Sequence, residues 1–75
     1  MMATPVSSRP SNKRYLGNRN PGSKEVHDLR NEKTQCQISE IIRARHGVVF
    51  LPDTLAQAHI EGYDNCAWCI GGSRR

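Results

Sequence analysis

The stretch EGYDNCAWCIGG, residues 61–72, holds two cysteines at C-x-x-C spacing, and this pair constrains the possible folds more than any other feature of the sequence. Two cysteines this close together can bind one metal ion from a single turn, which supplies half of a tetrahedral site. The chain has 75 residues, and the hydrophobic core of so small a domain stabilises it by only about 3–5 kcal/mol. Domains of this size usually add disulfides or a structural metal, so the sequence predicts such a cross-link.

The cysteines number three, Cys36, Cys66 and Cys69. An odd number leaves one thiol outside any closed disulfide framework. The N-terminal residues lack the apolar segment of a secretory signal, and no apolar run reaches the length of a membrane span. We therefore predict a cytoplasmic protein without a membrane segment, whose thiols stay reduced and serve a metal or catalysis.

A tetrahedral zinc site needs a fourth ligand beside the three cysteines. The candidates are His27, His46, His59 or a carboxylate. His27 is favoured because it ends a predicted strand a short loop before Cys36. His46 lies at the far end of a predicted helix of about 15 Å, and His59 lies in the middle of another and is expected to face solvent. The predicted metal ligands are His27, Cys36, Cys66 and Cys69, and the predicted cofactor is Zn²⁺.

Other interpretations of the C-x-x-C pair stay open at this point. The turn could be metal-free, or the cysteines could form a redox dithiol, although a thioredoxin-like motif needs a strand-to-helix setting in a larger sheet. Iron accepts sulfur ligands as well, but one histidine among three cysteines fits zinc at least as well. Trp68, between the two cysteines, is expected to pack in the core or over the sulfurs.

Local patterns predict an α+β fold in which helices cover a small sheet. Turn-forming residues separate two short strands, and Gly47 is the expected left-handed residue that ends the first helix. Thr54 and Gln57 form a capping-box pattern at the start of the second helix, with Asp53 as an alternative cap. The predicted elements are strands at 14–18, 24–29 and 48–51, and helices from Cys36 to Gly47 and from Thr54 to Gly62.

Charge is distributed unevenly along the chain. Residues 1–24 carry five basic groups and no acid, whereas residues 25–73 carry four basic groups against seven acids. We predict a disordered leader at 1–13, a folded domain at 14–72 and a flexible basic tail at 73–75. The basic N-terminal arm could hold nucleic acid weakly and without specificity, while a basic face on the folded domain is not indicated.

Taken together, these motifs resemble the zinc-binding domain at the N-terminus of the Ada DNA-repair methyltransferase, and most closely a subgroup of small Ada-like modules in which a histidine replaces the first cysteine. The resemblance covers roughly residues 15–70. The matching residues, in order, are Gly17, Asn18, Lys24, His27, Cys36, Val48, Phe50, Ala58, Gly62, Tyr63, Cys66 and Cys69. Two departures are the eight residues between His27 and Cys36, which imply an inserted loop, and Asn65, where the family usually has proline.

The resemblance implies a small antiparallel sheet flanked by helices, with a structural zinc site at one end. It does not imply methyl transfer, because His27 stands where the methyltransferase has its acceptor cysteine, and a zinc-bound imidazole has no thiolate to alkylate. The expected function is that of a non-catalytic, monomeric zinc module that interacts with a protein partner. Nucleic-acid binding through the N-terminal arm is the alternative, and a methyl acceptor or a redox dithiol comes third.

Overall fold

A computed structural model describes residues 3–72 of the chain. Five short strands form one sheet in the order β1-β4-β2-β3-β5, and two helices pack on it. The elements are β1 (Thr4–Pro5), β2 (Tyr15–Asn18), β3 (Glu25–Asp28), α1 (Ile38–Arg43), β4 (Gly47–Val49), α2 (Leu55–Ile60) and β5 (Asp64–Asn65). The α+β class predicted from the sequence agrees with this architecture.

The sheet is mixed, and the prediction of a purely antiparallel sheet was wrong. Three pairings, β1 with β4, β4 with β2 and β2 with β3, are antiparallel. The fourth pairing joins β5 to β3 in parallel. Residues 63–65 look like a turn in the sequence because two residues are too few to show a strand period, and only the distant partner strand makes them extended.

Part of the predicted disordered leader belongs to the sheet. β1 pairs with β4, the amide of Val6 donates to the carbonyl of Gly47 at 3.0 Å, and the Val6 side chain packs on the core. Pro5 is compatible with this position because β1 is an edge strand and a proline there costs no ladder hydrogen bond. The predicted basic tail, 73–75, lies outside the described residues.

Alternation along β2 gives the sheet two different faces. Leu16 lies opposite His27 in the β2–β3 pairing and belongs to a first apolar cluster. Gly17, its neighbour, faces a second cluster, where an added Cβ would lie 2.6 Å from the ring of Phe50. We call these the cysteine cluster (Leu16, Cys36, Ile38, Ile41, Cys66 and Cys69) and the aromatic cluster (Val26, Val48, Phe50, Ala58 and Tyr63).

Each helix covers one of these faces. α1 contributes Ile38 and Ile41 to the cysteine cluster, and α2 contributes Ala58 to the aromatic cluster. The predicted cap of α2 is confirmed, since the Thr54 hydroxyl accepts a hydrogen bond from the amide of Gln57 at 3.1 Å. The aromatic cluster also contains an edge-to-face pair of Phe50 and Tyr63, with ring centroids 5.0 Å apart.

The first helix is shorter than predicted at both ends. It begins at Ile38, because Cys36 lies in a preceding 3₁₀ turn and Gln37 adopts a left-handed backbone with φ of 53°. It ends before Arg45, which takes the left-handed position (φ 64°) that we expected at Gly47. Gly47 is needed for space instead, because a Cβ there would lie 2.9 Å from Cδ1 of Ile42.

Candidate metal centre

The four predicted metal ligands come together in the structure. His27, Cys36, Cys66 and Cys69 each offer one ligand atom, and these atoms lie within 4.8 Å of one another. The sulfurs of Cys36 and Cys66 are 3.7 Å apart, and Nδ1 of His27 is 3.9 Å from the sulfur of Cys69. With metal–sulfur bonds of about 2.3 Å and metal–nitrogen bonds of about 2.0–2.1 Å, tetrahedral angles separate two sulfurs by about 3.8 Å and a sulfur from a nitrogen by about 3.6 Å. The spacing therefore suits one metal ion.

Strand β3 and the parallel strand β5 place half of this cluster. His27 points from β3 into the cysteine cluster and is 3% exposed. The amide of Cys66 donates to the carbonyl of Val26 at 3.0 Å, which continues the β3–β5 pairing and sets Cys66 beside His27. The chain then turns, with the amide of Ile70 donating to the carbonyl of Cys66 at 3.2 Å, and brings Cys69 back to the same point.

Cys36 reaches the cluster from the loop that the sequence marks as an insertion. That loop contains two 3₁₀ turns, Leu29–Asn31 and Thr34–Cys36. The amide of Cys36 donates to the carbonyl of Lys33 at 3.0 Å, which closes the second turn. The extra residues between His27 and Cys36 are therefore ordered by local turns, and they deliver the thiol to the ligand set.

Two residues of this loop region hold Cys69, and sequence reasoning missed both. The backbone amide of Asp28 donates to the Cys69 sulfur at 3.2 Å, and the side-chain amide of Asn31 donates to the Cys69 carbonyl at 2.8 Å. Amide donors to a sulfur stabilise the thiolate that a metal needs, and such partners orient the ligand. The sequence offered one hint to the role of Asp28, which is that this residue directly follows the predicted ligand His27.

The Asp28 carboxylate anchors the start of the loop. It accepts hydrogen bonds from the Arg14 guanidinium at 3.3 and 3.1 Å and from the amide of Arg30 at 3.0 Å. Asp28 is 8% exposed, so this pair lies at the margin of the core rather than on the open surface. The ion pair thus fixes the backbone that supplies the amide donor to Cys69.

Burial controls the protonation of the cluster. Desolvation lowers the pKa of His27 to about 4, so its imidazole is neutral at neutral pH and has a lone pair to donate. Desolvation also raises the pKa of the Cys36 thiol, and it raises the pKa of the Cys69 thiol to about 12. Without a metal these thiols are protonated, so a metal must displace their protons to bind.

The two ring nitrogens of His27 have different surroundings. Nδ1 faces the Cys69 sulfur at 3.9 Å, close to the sulfur–nitrogen separation of a tetrahedral site. Among residues 3–72, Nε2 of His27 is a buried polar side-chain atom without a hydrogen-bond partner. A metal bound through Nδ1 would leave Nε2 unsatisfied, so the support for a metal site comes from the convergence of the four ligand atoms.

The other candidates from the sequence lie outside this set. His59 is exposed, as expected, and its Nε2 lies 2.6 Å from Oδ1 of Asn65. His46 lines a cavity of about 330 Å³ together with Cys36, yet it is not among the clustered ligands, as predicted. Trp68 is 59% exposed, so it does not pack in the core. It lines the same cavity as Cys36 and Cys66, and the alternative position over the sulfurs stays a prediction.

The fold and the site define a small α+β domain with a buried cluster of one histidine and three cysteines that could bind a metal ion. No protein-family model, curated protein or solved structure matches the chain. Within residues 3–72, neither helix has the length and apolar character needed to cross a membrane.

Proposed function

We propose that this protein is a non-catalytic zinc module, in which one Zn²⁺ is held by His27, Cys36, Cys66 and Cys69 and stabilises the fold. The observation that carries the proposal is the convergence of four ligand atoms within 4.8 Å in a buried cluster. Three sulfurs and one nitrogen form a ligand set typical of structural zinc, and four protein ligands leave no open position for a substrate. Iron also binds sulfur ligands, but a site of three sulfurs and one nitrogen is more typical of zinc.

Burial of the thiols argues against a redox role for the C-x-x-C pair. Cys66 and Cys69 are 1% and 4% exposed. Reactive dithiols need an accessible thiolate with a lowered pKa, whereas burial raises the pKa of Cys69 to about 12. A structural role for both cysteines accounts for these properties.

The resemblance to Ada-like zinc modules is part of the proposal. It is supported by the place of the matching residues, because Gly17, Phe50 and Tyr63 pack together in the aromatic cluster while His27 and the cysteines gather on the opposite face. In such a module the zinc stabilises the fold that forms a binding surface. We propose that the chain is monomeric and that its partner is a protein. Ile60 and Trp68, 78% and 59% exposed, are large apolar side chains that a protein partner would cover.

Cobalt substitution tests the ligand set directly. The Co²⁺ form is expected to show the visible charge-transfer and d–d bands of a tetrahedral site with three sulfurs and one nitrogen, at one ion per chain. A His27→Ala variant should shift or lose these bands, because it removes the nitrogen ligand. The matched control is His59→Ala, which removes an exposed imidazole and should leave the spectrum unchanged. An octahedral spectrum, or a His27→Ala spectrum like that of the parent, would refute the assignment.

Zinc binding is expected to release about three protons per ion at pH 7. In an unfolded metal-free chain, cysteine thiols, with an ordinary pKa of about 8.5, are protonated at pH 7, and a histidine imidazole, with an ordinary pKa of about 6.5, is mostly neutral. Because the free chain holds about three more protons than the complex, affinity rises with pH and falls roughly 1,000-fold per pH unit on acidification from about pH 7.5 to about pH 6.5. Below that range the imidazole of the unfolded chain also takes up a proton, and the fall becomes steeper. Calorimetric titrations in buffers of different ionisation enthalpy measure the release. One proton or fewer would mean that the three thiols are not all ligands.

A further inference from the structure

Three arginines that are scattered along the sequence line one cavity. Arg19, Arg43 and Arg45 border a surface cavity of about 610 Å³, with Ser7 at its rim and Val6 and Ile42 among its apolar lining. None of the described residues that line this cavity is acidic. The sequence predicted no basic face on the folded domain, because residues 25–73 as a whole carry more acids than bases. In the folded chain these three arginines nevertheless lie together around one cavity.

The backbone at Arg45 helps to assemble this arginine cluster, by which we mean Arg19, Arg43 and Arg45. Arg45 adopts a left-handed conformation, φ 64°, at the end of α1. Its carbonyl accepts a hydrogen bond from Nη2 of Arg19 at 3.0 Å, and the amide of Arg19 donates to the carbonyl of His46 at 2.9 Å. These bonds tie the segment after β2 to the end of α1, and so they hold two guanidinium-bearing residues side by side.

Arg43 of this cluster forms a weak ion pair with a carboxylate outside it. Arg43 pairs with Glu40 at 3.1 Å, but their side chains are 76% and 58% exposed. Exposed pairs of this kind contribute little to stability, so a stronger anion can replace the carboxylate. Guanidinium groups bind phosphate oxygens through paired N–H donors, which gives phosphate the advantage over a single surface carboxylate.

Positive charge continues into the neighbouring cavity. Arg19 and Pro5 also border a cavity of about 770 Å³ whose lining includes Lys24 and one acid, Glu61. The Glu61 carboxylate accepts a hydrogen bond from the Gln57 side chain at 2.7 Å. The Lys24 ammonium lies 4.6 Å from the centroid of the Tyr63 ring and donates to the carbonyl of Glu61 at 3.3 Å, so its position is fixed. Cations spread over two adjoining cavities match a ligand with successive phosphates better than a single free anion.

We infer that the arginine cluster is a binding site for the phosphodiester backbone of nucleic acid. Phosphate oxygens would receive N–H donors from Arg43 and Arg45, with Arg19 linking this site to Lys24 and the next phosphate. Contacts of this type fix a nucleic acid on the protein without reading its sequence. The inference goes beyond the zinc module, since the cluster lies on exposed side chains and needs the metal only for the fold.

This site differs from the N-terminal arm that the charge distribution suggested. Arg9 forms an ion pair with Glu32, and Arg14 forms one with the buried Asp28 carboxylate. Arg9 and Arg14 therefore already have carboxylate partners, which a phosphate would have to displace. Arg19 and Lys24 also belong to residues 1–24, but they line a cavity of the folded surface. The folded surface, and not the arm, offers the better site.

The test measures binding of the zinc-loaded full chain to a short fluorescent DNA duplex by anisotropy. The double variant Arg43→Gln with Arg45→Gln is compared with Arg9→Gln combined with Lys13→Gln, which removes the same charge from the arm. The first is expected to weaken binding about tenfold or more and to lower the slope of log K against log salt by about 1–2, since each lost phosphate contact accounts for about 0.9. The arm variant should weaken binding by less than about threefold.

The chemical shifts of backbone amides in the unsubstituted chain provide a second test that does not depend on the variants. In the unsubstituted chain, DNA should shift the amide resonances of Arg19, Arg43 and Arg45 more than those of Arg9 and Lys13. Equal losses in both double variants, or shifts confined to the arm, would overturn the inference. Inorganic phosphate that shifts the same amides while DNA does not bind would assign the site to a free anion. Binding to vesicles of anionic phospholipid without DNA binding would also contradict it.

Discussion

Removing the zinc with a strong chelator is expected to unfold most of this chain. The ligand cysteines make up half of the cysteine cluster, so this face of the sheet loses its cross-link when the metal leaves. Coordination in structural zinc peptides contributes about 10–16 kcal/mol at neutral pH, which exceeds the about 3–5 kcal/mol that a core of this size supplies. Metal binding and folding should therefore be a single event.

Amide NMR spectra recorded before and after chelation, under a metal-free reducing agent, measure this effect. The zinc form should show dispersed resonances, and the chelated form should show the narrow dispersion of an unfolded chain. Adding Zn²⁺ back should restore the first spectrum, which excludes oxidation as the cause. A dispersed spectrum in the metal-free sample would show that the two apolar clusters fold without the metal, which would contradict the prediction.

Replacing Phe50 by alanine is expected to weaken the apparent zinc affinity by about two to nearly four orders of magnitude, although Phe50 is not a ligand. Phe50 is 1% exposed, lies against Gly17 and Tyr63, and belongs to the aromatic cluster on the other face of the sheet. Truncating a buried phenylalanine costs about 3–5 kcal/mol. When the free chain is unfolded, that loss reduces the free energy of metal binding by the same amount.

The neighbouring residue provides the control for this prediction. Leu51 is 73% exposed, so Leu51→Ala should change the affinity by less than about threefold. Competition with a chelator of known affinity measures both variants. If Phe50→Ala binds zinc as tightly as Leu51→Ala, then the metal-binding segment folds independently of the aromatic cluster, and folding and binding are not one event.

Features that depend on local chemistry could be predicted from the sequence. The sulfur and imidazole ligand set follows from residue type and from the need of a small chain for a cross-link, and the structure brings the same four residues within 4.8 Å. The start of α2 follows from Thr54 and Gln57, because a capping hydrogen bond lies within one turn.

Features that depend on distant partners could not be predicted. β5 has two residues and is extended because its amides bond to β3, almost 40 residues earlier in the chain. β1 was not predicted for the same reason. Thr4–Pro5 is too short to show a strand period, and it is extended because it pairs with β4. The arginine cluster likewise combines residues from two separate segments, and the total charge of a segment does not reveal which side chains will be neighbours.

The late position of Cys69 in the ligand set has a consequence for synthesis on the ribosome. His27 and Cys36 emerge first, but the site is incomplete until a further 33 residues have been added. At about 5–20 residues per second, that interval lasts roughly 2–7 s. Throughout it the ligand set is incomplete, so in the proposed zinc module the nascent chain can fold only after translation has passed the C-x-x-C turn. Under the same proposal, the zinc supply after that point limits how much of the newly made protein folds.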